Sequence, residues 1–271
     1  MTRALLPVAA DVAARLAGTP LVSMLDVDGT LAPIAPRPDD AAVPPDTRRL
    51  LAALATHPGV TIAFVSGRAA ADVERLAGVR GAWIVGNHGF EIVHPDGTPL
   101  TDESLGTARD AIAAALRDVA DTVLSMPGVL IEDKHWTASV HFRLASPSVA
   151  APLRDTVHRA AARHGLRVME GKKVLEIRPD RDVNKGTAAL TLTRKILAGR
   201  PGSVLYVGDD ATDEDAFASL RAQLPAAVTA RVTHDDAART AAEFALDDTS
   251  AVARFLGWLA AARGIRLAGT S

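Results

Sequence analysis

Four short polar signatures carry the residues able to do chemistry. They are Asp26-Val27-Asp28-Gly29-Thr30, Ser66-Gly67-Arg68, Gly86-Asn87-His88-Gly89 and Gly208-Asp209-Asp210, with Lys185-Gly186 between the last two. Asp26, Asp28 and Asp209 gathered in one place would repel one another unless a cation neutralised them. A hard, oxygen-seeking cation such as Mg2+ meets that need and commonly acts beside a phosphate. The Ser66 hydroxyl and the backbone N–H groups around Gly29, Thr30 and Gly67 can donate to phosphate oxygens. Lys185, at a helix start, adds a point charge with the helix dipole behind it. Carboxylates, cation, hydroxyl and lysine together suit phosphoryl transfer. An aspartate can itself be the nucleophile, forming an aspartyl-phosphate that water later breaks.

Each residue also has a purely structural reading. Asp26 and Asp28 could mark a turn, Ser66 could cap the next helix, and Lys185 could be a surface lysine. The acidic run 209–215 could be a helix first turn favoured by the dipole, which is the reading taken for Glu214 and Asp215. What outweighs these readings is agreement, because each signature follows a short apolar run. In open α/β sheets ligands bind beyond the carboxyl ends of the strands, so all four belong in one crevice. His135, Trp136 and His141 are read as packing or surface groups. Trp258, spaced with Phe255 and Leu259, is read as the core face of a tail helix.

The elements that must position these groups alternate between strand and helix. Apolar runs at 21–25, 60–65, 82–85 and 203–207 predict buried parallel strands. Helices are predicted at 46–56, 69–76, 186–198 and 249–263, and Leu5, Val8, Val12 and Leu16 share one face of a further helix. The stretch 33–45 reads as a loop. Between 104 and 178 the pattern changes to a helix (108–123), a long alternating run (129–144), a second helix (149–164) and two β-like pieces (166–169 and 174–177). That order suits a small α+β domain with an antiparallel sheet. The fold class is therefore α/β: a Rossmann-like parallel-sheet core, 1–103 with 179–271, and an inserted α+β cap, 104–178.

Composition is consistent with this. The chain has 271 residues with 48% hydrophobic content, enough for one large or two modest domains. A formal net charge of −2 argues against a protein built to coat nucleic acid. With no cysteine, a disulfide framework, a thiolate zinc site and a cysteine nucleophile are all excluded. Asp11 and Arg15 interrupt the apolar start before a signal-peptide core could form. No run of 18 or more uncharged apolar residues follows, as a membrane span would need. The chain is read as soluble and cytoplasmic, with no nucleic-acid or membrane partner. Phe64-Val65-Ser66-Gly67-Arg68 lacks the flanking glycines of a hydrolase nucleophile elbow. Neither a Gly-x-x-x-x-Gly-Lys-Ser/Thr loop nor a His-Glu-x-x-His pair is present.

The signatures 26–31, Ser66, Lys185 and 208–210 resemble, in order, those of the haloacid-dehalogenase superfamily of phosphatases. Within it, Leu25 to Ile34, 65–68 and 86–91 resemble the trehalose-6-phosphate phosphatase family. So do Glu132-Asp133-Lys134, His141-Phe142-Arg143, Glu176-Ile177-Arg178-Pro179 and 209–217. The resemblance implies an Mg2+-dependent hydrolysis of trehalose 6-phosphate to trehalose and phosphate. It gives Asp26 as nucleophile and metal ligand, and Asp28 as general acid and base with its main-chain carbonyl on the metal. Thr30, Ser66, Gly67 and Lys185 would hold the phosphoryl group. Asp209 would ligate Mg2+, supported by Asp213. Glu132, Lys134, Arg143 and Glu176 would face the sugar hydroxyls, with Arg68, Asn87 and His88 also at the substrate. A synthase making the phosphorylated disaccharide would be a separate chain. Sucrose 6-phosphate or mannosyl-3-phosphoglycerate phosphatases are the near alternatives, and a catalytically silent sugar-phosphate sensor is the distant one.

Overall fold

A computed structural model describes residues 2–35, 37, 40–100, 106–234 and 239–266. Parts of the expected 33–45 loop and the expected boundary at 103/104 lie outside the described residues. In chain order the first elements are β1 (Arg3–Ala4), α1 (Ala10–Leu16), β2 (Leu21–Leu25), α2 (Pro45–Thr56), β3 (Val60–Val65), α3 (Ala70–Ala77), β4 (Trp83–Gly86) and β5 (Glu91–Val93). Next come α4 (Gly106–Leu124), β6 (Leu130–Asp133), β7 (Ala138–His141), α5 (Ala150–Arg163), β8 (Leu166–Gly171) and β9 (Val174–Pro179). The chain continues with α6 (Lys185–Leu197), β10 (Ser203–Gly208), α7 (Asp213–Gln223), β11 (Val228–Val232), β12 (Phe244–Leu246) and α8 (Thr249–Ala262). Two compact units result, one of residues 1–100 with 183–271 and one of 101–182.

The larger unit is built on an eight-stranded sheet in the order β1-β12-β11-β10-β2-β3-β4-β5. Among the described strands of this sheet, β5 alone runs antiparallel to its neighbour. β2 lies inside this sheet, and all five of its residues are buried. Leu21 and Leu25 join a core with α2, α3 and α8, while Val22 and Met24 join the opposite core with α6 and α7. Covering both faces is what makes the parallel strands unbroken apolar runs rather than alternating ones. Leu25 pairs with Val207 of β10 and with Phe64 of β3, so the three strands end level. The polar residues that follow them therefore share one edge. Among the described residues no helix is long and apolar enough to cross a membrane.

The smaller unit is a four-stranded antiparallel sheet, β6-β7-β9-β8. One face, with Ala138, Val140, Leu175 and Ile177, packs on Ile112 and Val119 of α4 and Leu153 and Val157 of α5. The alternating run 129–144 is not one strand but two, β6 and β7. Asp133 Oδ1 accepts the His135 N–H at 2.8 Å, and His135 takes a positive φ of 73°. The Lys134 N–H then closes on the Thr137 carbonyl at 2.9 Å. An aspartate folding back on the backbone two residues on is a turn former, and it ends the strand before Lys134.

Candidate active site

Asp26 is the first residue past β2, and its N–H donates to the Val207 carbonyl at 2.9 Å. The chain then doubles back, with Leu31 and Ala32 N–H both on the Val27 carbonyl and Gly29 N–H on that of Ala32. Gly29 sits at φ 79°, and a Cβ there would lie 2.1 Å from Asp209 Oδ2. The turn requires glycine both for its backbone angle and for the approach of Asp209.

Lys185 opens α6, whose start is fixed by a reciprocal capping box between Asn184 and Thr187. Its side chain runs inward and is almost wholly buried, and Nζ donates to Asp26 Oδ1 and Asp213 Oδ1, each at 2.8 Å. Asp210 Oδ1 stands 3.7 Å away. Asp213 accepts four hydrogen bonds. Lys185 and the Tyr206 hydroxyl (2.8 Å) share Oδ1, while the Asp209 and Asp210 N–H groups share Oδ2 at 3.0 and 3.1 Å. It thereby ties the 208–210 loop to the lysine.

Asp26, Asp209 and Asp213 each present an oxygen within 4.8 Å of the others. One lysine among these carboxylates leaves an excess of negative charge. Burial, opposed by Lys185 but reinforced by Asp213, Asp210 and Asp209, pushes the Asp26 carboxyl well above the usual carboxylate range. Burial and then the neighbouring carboxylates raise Asp209 to about 6, and burial carries Asp213 to about 6 against the pull of Lys185. Burial works against the Lys185 ammonium, but Asp213 and Asp26 outweigh it and raise its value. Partial burial of Asp210 is overcome by Lys185 and by hydrogen bonds from Thr212 and Asp213, so its carboxyl lies below the usual range. A hard divalent cation fits this oxygen-only donor set and relieves its charge.

The Asp28 carboxylate does not join that group. Arg68 holds it, Nε on Oδ2 at 2.6 Å and Nη2 on Oδ1 at 2.7 Å. Thr30 is buried, its Oγ1 3.5 Å from Asp209 Oδ1. Ser66 is buried past β3, with its N–H on the Val85 carbonyl and its Oγ accepting the Arg68 N–H at 3.2 Å. Asn87 donates from its backbone to the Arg68 carbonyl and His88 to that of Ser66, so the two loops are laced together. A Cβ on Gly67 would come within 2.5 Å of the His88 ring. Thus Asp26, Asp28, Thr30, Ser66, Gly67, Arg68, Asn87, His88, Lys185, Asp209 and Asp213 all lie at this one edge of the sheet.

Sequence reasoning gave no role to three residues here. Glu91 accepts from Asn87 Nδ2 and, at 2.6 Å, from the Ala70 N–H at the start of α3. Tyr206 braces Asp213. His234, past β11, places Nε2 2.6 Å from the Gly29 carbonyl oxygen. In the sequence, Glu91 lies within the 86–91 signature.

In the smaller unit, strand register aligns Glu132 with Ser139 and Ser139 with Glu176, putting both glutamates on one sheet face. Glu132 Oε2 lies 2.9 Å from His141 Nε2 and 3.9 Å from Lys134 Nζ. His141, read as a packing or surface group, is thus a partner of Glu132. Arg143 is not brought into this row and stands exposed in the turn after β7.

A parallel sheet with an acidic carboxyl edge, interrupted in sequence by an α+β unit, defines a haloacid-dehalogenase-like protein. The trehalose-phosphatase family model matches residues 24–250, and the chain belongs to that family. It is 36% identical over 237 residues to a trehalose-phosphate phosphatase of Mycobacterium marinum, covering 87% of this chain and 60% of that one. To the trehalose-phosphate phosphatase of Mycobacterium avium it is 38% identical over 250 residues, 90% of this chain and 63% of that one. The chain therefore spans under two thirds of the length of these curated relatives. A structure of Aspergillus fumigatus trehalose-6-phosphate phosphatase superposes with a TM-score of 0.67 at 28% identity, covering 96% of this chain and 98% of that one.

Proposed function

We propose that the chain is a phosphomonoester hydrolase that converts trehalose 6-phosphate to trehalose and phosphate. The observation that carries this reading is the buried Asp26 at a strand end, held by Lys185 at 2.8 Å inside a cluster of carboxylates. Asp26 attacks phosphorus, the bond from phosphorus to the sugar oxygen breaks, and Asp28 supplies the proton that oxygen needs. Water then attacks the aspartyl-phosphate, gives its proton to Asp28, and releases phosphate with Asp26 restored. Thr30, Ser66, the Gly67 N–H and Lys185 hold the phosphoryl oxygens. Asp26, Asp209 and the Asp28 main-chain carbonyl would hold Mg2+, and Asp213 fixes the loop carrying Asp209. When bound, Mg2+ would supply positive charge against the phosphoryl oxygens and relieve repulsion among the carboxylates.

The 104–178 region is assigned the role of a cap that selects the sugar, through Glu132, Lys134, Arg143 and Glu176. Arg68, Asn87 and His88 are assigned to the substrate from the core. A separate synthase chain supplies the phosphorylated disaccharide, in the cytoplasm. The test is phosphate release with Mg2+ from trehalose 6-phosphate, sucrose 6-phosphate, mannosyl-3-phosphoglycerate and glucose 6-phosphate. Preference for the first is expected. Preference for another ester reassigns the substrate, and binding without release makes the chain a sensor.

A further inference from the structure

We propose that His234 is a positioning residue of this site, its ring clamping the Gly29 carbonyl and so fixing the turn that bears Asp28 and Thr30 against Asp209. The inference rests on the phosphatase reading above. A carbonyl oxygen can only accept, so the 2.6 Å approach of Nε2 makes that nitrogen the protonated one of the ring. The same N–H edge stands 3.8 Å from Asp209 Oδ2. It therefore sits over the place where Gly29 and Asp209 press together most closely, the place where a Cβ would collide.

The backbone at His234 is held without the ring. Thr233 and His234 donate their backbone N–H groups to the Leu246 and Asp247 carbonyls at 2.9 and 3.0 Å. Asp248, the next residue, caps α8 through Ala251 at 2.7 Å. Thr233 and His234 are thus anchored by their main chain to the end of β12 and to Asp247, and the His234 side chain is left to span 205 positions of sequence to the nucleophile turn. His234 also sits at φ 44°, an uncommon region for a residue with a Cβ. Groups that orient a metal ligand from outside typically control affinity or rate by about tenfold to a hundredfold.

The experiment compares wild type, His234→Gly and His234→Gln. Glycine suits the positive φ and removes the whole side chain, ring included, whereas glutamine keeps a side-chain N–H. Mg2+ binding is read from the rise in melting temperature as MgCl2 is titrated, and kcat and KM are measured with trehalose 6-phosphate. His234→Gly is expected to raise the half-saturating Mg2+ concentration and lower kcat, each by about tenfold to a hundredfold, with KM within about threefold. His234→Gln should recover most of both. The proposal is overturned if His234→Gly keeps Mg2+ binding and kcat within about twofold of wild type. It is equally overturned if glycine and glutamine lose activity alike with Mg2+ binding unchanged, or if His234→Gly no longer unfolds cooperatively, since the ring would then carry the loop. Failure of the phosphatase reading itself shows in the wild type, as binding of Mg2+ without phosphate release or as no binding.

Discussion

Arg68 closes on Asp28 as a two-pronged fork, Nε and Nη2 each meeting one carboxylate oxygen at 2.6 and 2.7 Å. The pair is set close to Ser66, because the Arg68 N–H also donates to Ser66 Oγ. Each Asp28 oxygen thus accepts one N–H from the guanidinium and keeps a second lone pair. The fork thus fixes the orientation of the Asp28 carboxylate.

Arg68→Lys keeps the charge but loses the planar fork. Asp28 then rotates freely, and kcat on trehalose 6-phosphate is expected to fall by about tenfold to a hundredfold, as for other small misplacements of a reacting group. Steady-state kinetics check this. A rise in kcat would instead mean that opening the fork limits turnover.

Asp26→Asn should abolish turnover, to below about one per cent of wild type, because an amide is no nucleophile toward phosphorus. The fold should survive, since Lys185 keeps its 2.8 Å bond to Asp213. Circular dichroism and phosphate release measured on the same preparation separate the two. Substantial activity in a folded variant would remove the covalent step.

How much of this was legible in sequence follows from burial and distance. β2, β3, β4 and β10 were visible because parallel strands covered on both faces become uninterrupted apolar runs, and the site residues follow their ends. β11 escaped because Thr229 and Arg231 break its run, Arg231 turning to Glu214 at 3.1 Å. β1, β5 and β12 have two or three residues, too few for any period to show. The pairings were hidden for another reason. Arg68 with Asp28 spans 40 positions and His234 with Gly29 spans 205, and no periodicity along the chain announces contacts made by the sheet order.

Metal dependence should carry a pH signature. Asp209 and Asp213 keep their protons up to about 6 in the fold, against an ordinary 3.8. Between those values the native state binds more protons than the unfolded chain, so without metal the contribution of this site to stability falls as pH rises through the window. Mg2+ needs deprotonated oxygens, and its charge opposes both the burial and the neighbouring carboxylates that raise these values. The gain in melting temperature on adding MgCl2 should therefore be small at pH 5 and larger at pH 7.5. Equal gains at both would show that Asp209 and Asp213 do not sense the ion.

The sheet face carrying Glu132, Ser139 and Glu176 can be tested through the chemistry it would serve. A phosphate and a metal ion are common to every phosphomonoester substrate, so a preference for a disaccharide has to come from groups that hydrogen-bond its hydroxyls. Glu176 and Glu132 sit level across β7, and the Lys134 ammonium stands 3.9 Å from Glu132. The row therefore offers acceptors and a donor side by side. Leaving one sugar hydroxyl unpaired costs about 1–3 kcal/mol, or roughly tenfold to a hundredfold. Glu176→Ala and Lys134→Ala should lower kcat/KM for trehalose 6-phosphate by about that factor. Activity on p-nitrophenyl phosphate, which has no sugar, should change by less than about threefold. Equal loss on both substrates would make these residues supports of the 101–182 unit rather than readers of the sugar. No loss on either would detach this face from the substrate and leave the choice of phosphate ester to the core.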